Sequence, residues 1–185
     1  MDDSEAVAWS ATPSISVPTP KIFAALGQAV TQKKSVEIIY VSMGEPAPHR
    51  RVISPHSLIL AGRRWHVRAY SQKNQGFRDY TLGRILEVKP LAFVAERAKS
   101  DDLAWNTKVP VRLIAHPGLS PDQAKVIQAE YFNGTSGRVE TCRAALVPYF
   151  IQDVRAAMDT EIQQAPDYQI AVENKEEVAP WVFGR

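Results

Sequence analysis

Five short segments rich in β-branched and aromatic residues crowd into residues 36–89, each closed by a turn signal. They are residues 36–42, residues 50–60 with a bend at Pro55, residues 65–71, residues 77–81 and residues 85–89. Strands this short and this evenly spaced cannot cover an apolar face as separate hairpins. They share one core by curling round it, so the spacing predicts a small closed or half-closed barrel. One helix precedes them, over residues 20–34. Thr19 is placed to cap it, Pro20 suits its first turn, and Ile22, Phe23, Leu26, Ala29 and Val30 follow helical spacing. The clearest alternation lies in residues 65–71. Trp65, Val67 and Ala69 are expected on one side and His66, Arg68 and Tyr70 on the other.

A second pattern follows a looser connection, residues 91–108, which includes the pair Asp101 and Asp102. Residues 109–115 read as a strand. Ser120 and Pro121 open a helix that runs to Phe132 and stops before Asn133 and Gly134. Residues 137–143 read as a strand, 144–159 as a helix and 168–172 as a last strand. That is a small β-α-β-α-β unit, and the fold class expected for the whole chain is α+β. The Pro- and Ser-rich start, residues 1–19, reads as a disordered tail or linker. The expected division is therefore 1–19 tail, 20–90 barrel domain, 91–108 linker and 109–185 second domain.

Charge is distributed unevenly over this frame. The formal net charge is +2. Residues 49–84 alone carry seven arginines, Lys73 and a single acid, Asp79, whereas the flanking blocks are both net acidic. His66 and Arg68 fall on the side of their strand opposite the apolar residues, and Arg78 and Tyr80 have the same even numbering in the next strand. Tyr40 lies in the first strand, and Arg51 and Arg84 fall near strand ends. Arginines gathered on one sheet face repel each other and resist burial unless an anion or carboxylate neutralises them. Guanidinium forks beside Tyr and His suit phosphate contact and base stacking. A solvated positive face is the competing reading of the same residues.

Enzyme templates are missing. The sequence has no GxSxG, Walker loop, HExxH or GxGxxG. The four histidines have no helical pairing and no cysteine partners, so no metal or other cofactor is expected. His56 and His116 read as turn residues, and Cys142, the single cysteine, as a small packing residue. One cysteine, no basic leader and no run of about 18 apolar residues lead to the expectation of a cytoplasmic protein without a membrane partner. Arg143 stands just ahead of an apolar helix face, where it needs a partner. It is the residue expected at a dimer interface.

The run Arg64-Trp65-His66-Val67-Arg68-Ala69-Tyr70 is similar to the tryptophan-tyrosine-leucine signature that names the WYL domain. Flanking segments agree: residues 36–40, residues 50–56 and residues 77–85. His66 and Val67, with the Phe77-Arg78-Asp79 and Leu82-Gly83-Arg84-Ile85 runs, resemble regulators encoded beside BREX and CBASS phage-defence systems. The C-terminal half resembles the same group at residues 116–119, Gln123, residues 143–146 and Tyr149. The resemblance covers about residues 20–175 and implies an Sm-like, SH3-type barrel that senses a ligand, in several members a nucleic acid or nucleotide. It also implies a homodimeric transcription factor, usually a repressor, that reads operator DNA through an N-terminal winged helix-turn-helix. Carried over position by position, the pocket residues are Tyr40, Ser42, Arg51, His56, His66, Arg68, Arg78 and Arg84. His66 stands where the signature has tyrosine.

Only about 19 residues precede the first helix, against the 60 or so that a winged helix-turn-helix takes. The expectation is a chain without that DNA-reading domain, either a fragment of a regulator or a stand-alone Sm-like nucleic-acid-binding protein. An enzyme acting on phosphorylated substrates is disfavoured, because Asp79 is the one carboxylate in the cationic block.

Overall fold

A computed structural model describes residues 18–182. The tail expected over residues 1–19 lies outside the described residues but for its last two. The chain divides into two compact units, Met1–Glu96 and Arg97–Arg185.

The first unit opens with α1, Pro20–Gln32. Thr19 holds the N-cap position, but its hydroxyl makes no capping bond there, so Pro20 in the first turn is the start signal that the structure uses. Lys33 closes the helix in the left-handed region, at φ 52°, and the chain passes directly into β1, Lys34–Tyr40. Then come β2 (His49–Ala61), β3 (Arg64–Ser71), β4 (Gly76–Thr81) and β5 (Ile85–Val94). The expected bend at Pro55 is a register shift between Pro55 and Ser57 within one continuous β2. The extra residue, His56, lets a long strand carry a proline. The β2–β3 turn is Gly62-Arg63, both at positive φ, the conformation a two-residue hairpin requires.

These strands form one sheet in the order β4-β3-β2-β1-β5. No sheet closes into a barrel, because β4 and β5 stand at its two edges. The sheet nevertheless curls. In a flat sheet, β1 and β4 would lie about 14 Å apart, three strand spacings. The Tyr40 and Tyr80 rings, one from each, meet at 5.1 Å between centroids. The curl wraps a core of Leu26, Val36, Ile38, Ile53, Val67, Ala69, Leu82 and Ile85, with α1 packed against it. β5 runs on through Pro90 to Val94, further than the sequence suggested. Pro90 is tolerated there because an edge strand need not donate outward.

The second unit holds α2 (Leu103–Asn106), β6 (Lys108–Ala115), α3 (Pro121–Phe132), β7 (Gly137–Arg143), α4 (Val147–Asp153), β8 (Ala156–Ala157), β9 (Ile170–Val172) and α5 (Lys175–Val178). Its sheet order is β7-β6-β9-β8. α3 begins with a reciprocal cap: Gln123 N–H donates to Ser120 Oγ, and Ser120 N–H donates to Gln123 Oε1. Residues 144–159 do not form one helix. α4 ends at Asp153, Arg155 takes φ 51°, and the next two residues pair with β9 as β8. Asp102, in the expected linker, is buried and caps α2, its Oδ1 accepting from Trp105 N–H at 3.1 Å. Among the described residues no helix is long and apolar enough to cross a membrane, and no group of three or more His, Cys, Asp or Glu could hold a metal.

Candidate anion-binding site

Strand register, not numbering, decides which side chains share a face. Directly opposed residues in an antiparallel pair point to the same side. In β3 and β4 the pairs are His66↔Thr81, Val67↔Tyr80, Arg68↔Asp79 and Ala69↔Arg78. Each pairs an even number with an odd one. Arg78 and Tyr80 therefore share a face with Val67 and Ala69, contrary to the expectation that they join His66 and Arg68. The cationic block is split between two faces.

On one face, Arg68 and Asp79 form a buried pair, Nη1 to Oδ1 at 3.3 Å, each side chain about 9% exposed. His66 is buried beside them, with Nδ1 3.5 Å from Thr81 Oγ1. Desolvation pushes its pKa down, with Asp79 and a backbone bond to Ala61 opposing and Arg64 and Arg84 adding to the fall. His56 stacks edge-on against Phe77 and bonds the Ser57 hydroxyl at 3.0 Å. This face is already neutralised.

The other face ends differently. β1 and β2 pair Ile38↔Arg51 and Tyr40↔His49, which places Arg51 and His49 beside the core tyrosines. Tyr40 meets the His49 ring at 6.0 Å and the Tyr80 ring at 5.1 Å, both edge to face. Tyr80 is 5% exposed, and among the described residues its hydroxyl has no partner with hydrogen-bond geometry. Burial raises its pKa against the opposing pull of Ser71, Arg51 and Arg78, all close enough to act on it. The hydroxyl stays protonated and can donate.

Above these groups lies the loop between β1 and β2, where Glu45 meets Arg51, Lys73 and His49. Its carboxylate is paired with Arg51, with Lys73 Nζ at 3.2 Å and with His49 Nε2 at 3.6 Å. The Lys73 bond and the three neighbouring charges hold the Glu45 pKa below the usual carboxylate range against some desolvation. Ser42 sets the turn: Glu45 N–H donates to its hydroxyl at 2.9 Å, and its own N–H donates to Glu45 O at 3.0 Å.

Of the residues expected in a pocket, the structure thus brings together Tyr40, Ser42, Arg51 and Arg78. His56, His66 and Arg68 lie on the opposite face. Arg84 stands at the end of a single 3₁₀ turn, its carbonyl accepting from Val41 N–H at 3.0 Å and its charge acting on His66. Sequence reading missed His49, Lys73 and Glu45. His49 had a signal, since it shares the strand parity of Arg51. Lys73 and Glu45 come from two separate turns, and nothing local links them.

Arg143, expected at a dimer interface, finds a partner within its own unit. Its Nη1 donates to Trp105 O at 2.7 Å, and its guanidinium stacks on the Trp105 ring at 4.9 Å. His116 is buried, bonding Gln163 O through Nε2 and accepting from Gly118 N–H through Nδ1, a structural role.

Residues 21–90 match the WYL domain, and residues 108–178 match the BrxR transcriptional regulator C-terminal dimerization domain. Relatives named DNA-binding transcriptional repressor CapW, from Escherichia coli strain KTE188 and Pseudomonas aeruginosa, are each 38% identical over 82% of this chain and 50% of their own length. One from Stenotrophomonas maltophilia is 36% identical over 86% of the chain and 53% of its length. The chain spans about half the length of the curated relatives it matches. Among solved structures, the proteasome accessory factor PafBC of Arthrobacter aurescens aligns with 90% of this chain and 27% of its own at 19% identity, with a TM-score of 0.40. The chain belongs to the WYL-domain family, in the group that carries a BrxR-type C-terminal dimerization domain behind the WYL domain.

Proposed function

We propose that the chain is the ligand-sensing and dimerising part of a transcriptional regulator, a repressor of a phage-defence system. In this reading the WYL unit binds an anionic ligand, a nucleotide or single-stranded nucleic acid, at Arg51, and the C-terminal unit pairs two copies. Operator DNA is read by a domain other than these two. The observation that carries the ligand reading is a recessed guanidinium, Arg51 at 11% side-chain exposure, whose counter-charge is the carboxylate of an exposed loop residue, Glu45 at 51%. An anionic oxygen seated in place of that carboxylate would answer the guanidinium. The curl of the sheet supports the half-closed version of the Sm-like expectation. Ligand binding would regulate by favouring one arrangement of the dimer over another, to the extent that the two arrangements differ in ligand affinity.

Anisotropy titration with labelled oligo(dT) of about 12 nucleotides, within the span of a small barrel site, tests this. Arg51→Ala should weaken binding about ten-fold, the loss of one charge-assisted contact. Arg68→Ala should alter affinity far less at temperatures where it stays folded. The wild-type log-log salt slope should be about −0.7 per phosphate contacted. Undetectable binding by wild type at low salt, or equal affinity in Arg51→Ala, overturns the reading.

A further inference from the structure

Glu45 sits where a ligand's anionic group would sit. Its carboxylate oxygens divide these partners between them: Oε2 faces Arg51 and His49, and Oε1 faces Lys73. A group with two or more anionic oxygens in one compact head satisfies Arg51 and Lys73 in the same way, as phosphate does, with His49 beside it. The exposures run the same way. The Arg51 side chain is 11% exposed and Glu45 51%, so the carboxylate is the solvent-facing half of the pair. Little else holds it there. Residues 43–48 are all exposed, and a side chain at Gly44 would meet nothing within 4 Å. The loop is seated by the ion pairs and by the Ser42 turn, not by packing.

We propose that Glu45 is a built-in occupant of the anion seat, that an external anion binds by displacing it, and that Lys73 and His49 contact that anion alongside Arg51. This rests on the anion-binding reading above and adds to it a competitor within the chain. Affinity for an outside anion is then the difference between two anions for one seat. Binding also frees the loop between β1 and β2, a change that can be read elsewhere in the protein.

The probe is the same labelled oligo(dT), titrated against wild type, Glu45→Gln and the double variant Glu45→Gln/Lys73→Ala, with folding of each checked by circular dichroism. Glu45→Gln keeps the side-chain shape and removes the charge, and it should bind about three- to ten-fold tighter than wild type, the span expected for losing an exposed ionic competitor. Adding Lys73→Ala should reverse several-fold of that gain. In wild type, ligand should speed hydrogen exchange at the Glu45 amide, which the Ser42 hydroxyl holds in the unliganded protein. Equal or weaker binding by Glu45→Gln, where wild type binds, overturns the competitor and leaves the anion site standing. A Lys73→Ala change without effect removes Lys73 from the seat. Undetectable binding by wild type at low salt overturns the anion site and the competitor with it.

Discussion

Arg51 and Arg68 stand on neighbouring strands of one sheet, at nearly the same burial, and do opposite things. Arg68 has its counter-charge built into the ladder. Asp79 lies directly across from it on the next strand, held by backbone pairing that cannot rearrange without breaking the sheet. Arg51 has Ile38 across from it, and its counter-charge comes from an exposed loop. A fixed pair stabilises and specifies; a pair closed by a loop can open. Two arginines that look equivalent in sequence are thus separated by where their acid comes from.

The largest expected effect breaks the fixed pair. Asp79→Ala leaves the Arg68 guanidinium buried without its ladder partner and should cost about 3 kcal/mol in urea denaturation, the range for half of a buried ion pair. If the loss is below about 1 kcal/mol, an exposed-pair value, the two arginines are not different in kind. Next is Arg51→Ala, which should lose about ten-fold in oligo(dT) affinity while changing stability by less than about 1 kcal/mol. The third test concerns pH. The His66 pKa is lowered in the folded state, so the folded protein binds fewer protons than the unfolded chain near and below the ordinary histidine pKa of about 6.5. This contribution is intact at higher pH and is lost as pH falls through about 6.5 toward the folded value. His66→Gln should flatten that part of the stability profile, measured by thermal melts at stepped pH. The smallest effect should come from Arg50→Ala. Its pair with Glu37 is on the same sheet, but the Arg50 side chain is 75% exposed, and the change should stay within about 0.5 kcal/mol.

Much of the fold was legible because it is written locally. The helical stripe of α1, the alternation of β3 and the Ser120–Gln123 cap need only neighbouring residues. What escaped depends on partners distant in the chain. β5 passes Pro90 because it lies at an edge, a fact of sheet order rather than of sequence. α4 stops at Asp153 although Phe150, Val154 and Met158 keep helical spacing, because the residues after Arg155 are taken up by pairing with β9. The site divided along the same line. Tyr40 and Arg51 were found from strand position, and the family resemblance named Ser42. Lys73 and Glu45 were invisible, since their two turns become neighbours only through the β2–β3 pairing, which sets Gln72 beside Val52. Arg78 was placed with Arg68 because even numbering was carried across a hairpin whose pairing inverts it.

The point where the chain leaves the first unit is fastened to the strand that bears Arg51. Ser54, on β2, accepts from Glu96 N–H at 2.9 Å, and its hydroxyl bonds that of Ser35 at 2.9 Å, while Ala95 N–H donates to Lys33 O at 2.9 Å. Two hydroxyls and a carbonyl act as a buckle on the departing polypeptide. A sliding of β2 either carries Glu96 with it or snaps that buckle open. The residue that closes the first unit is thus tethered three positions past Arg51, on the strand that carries the candidate seat.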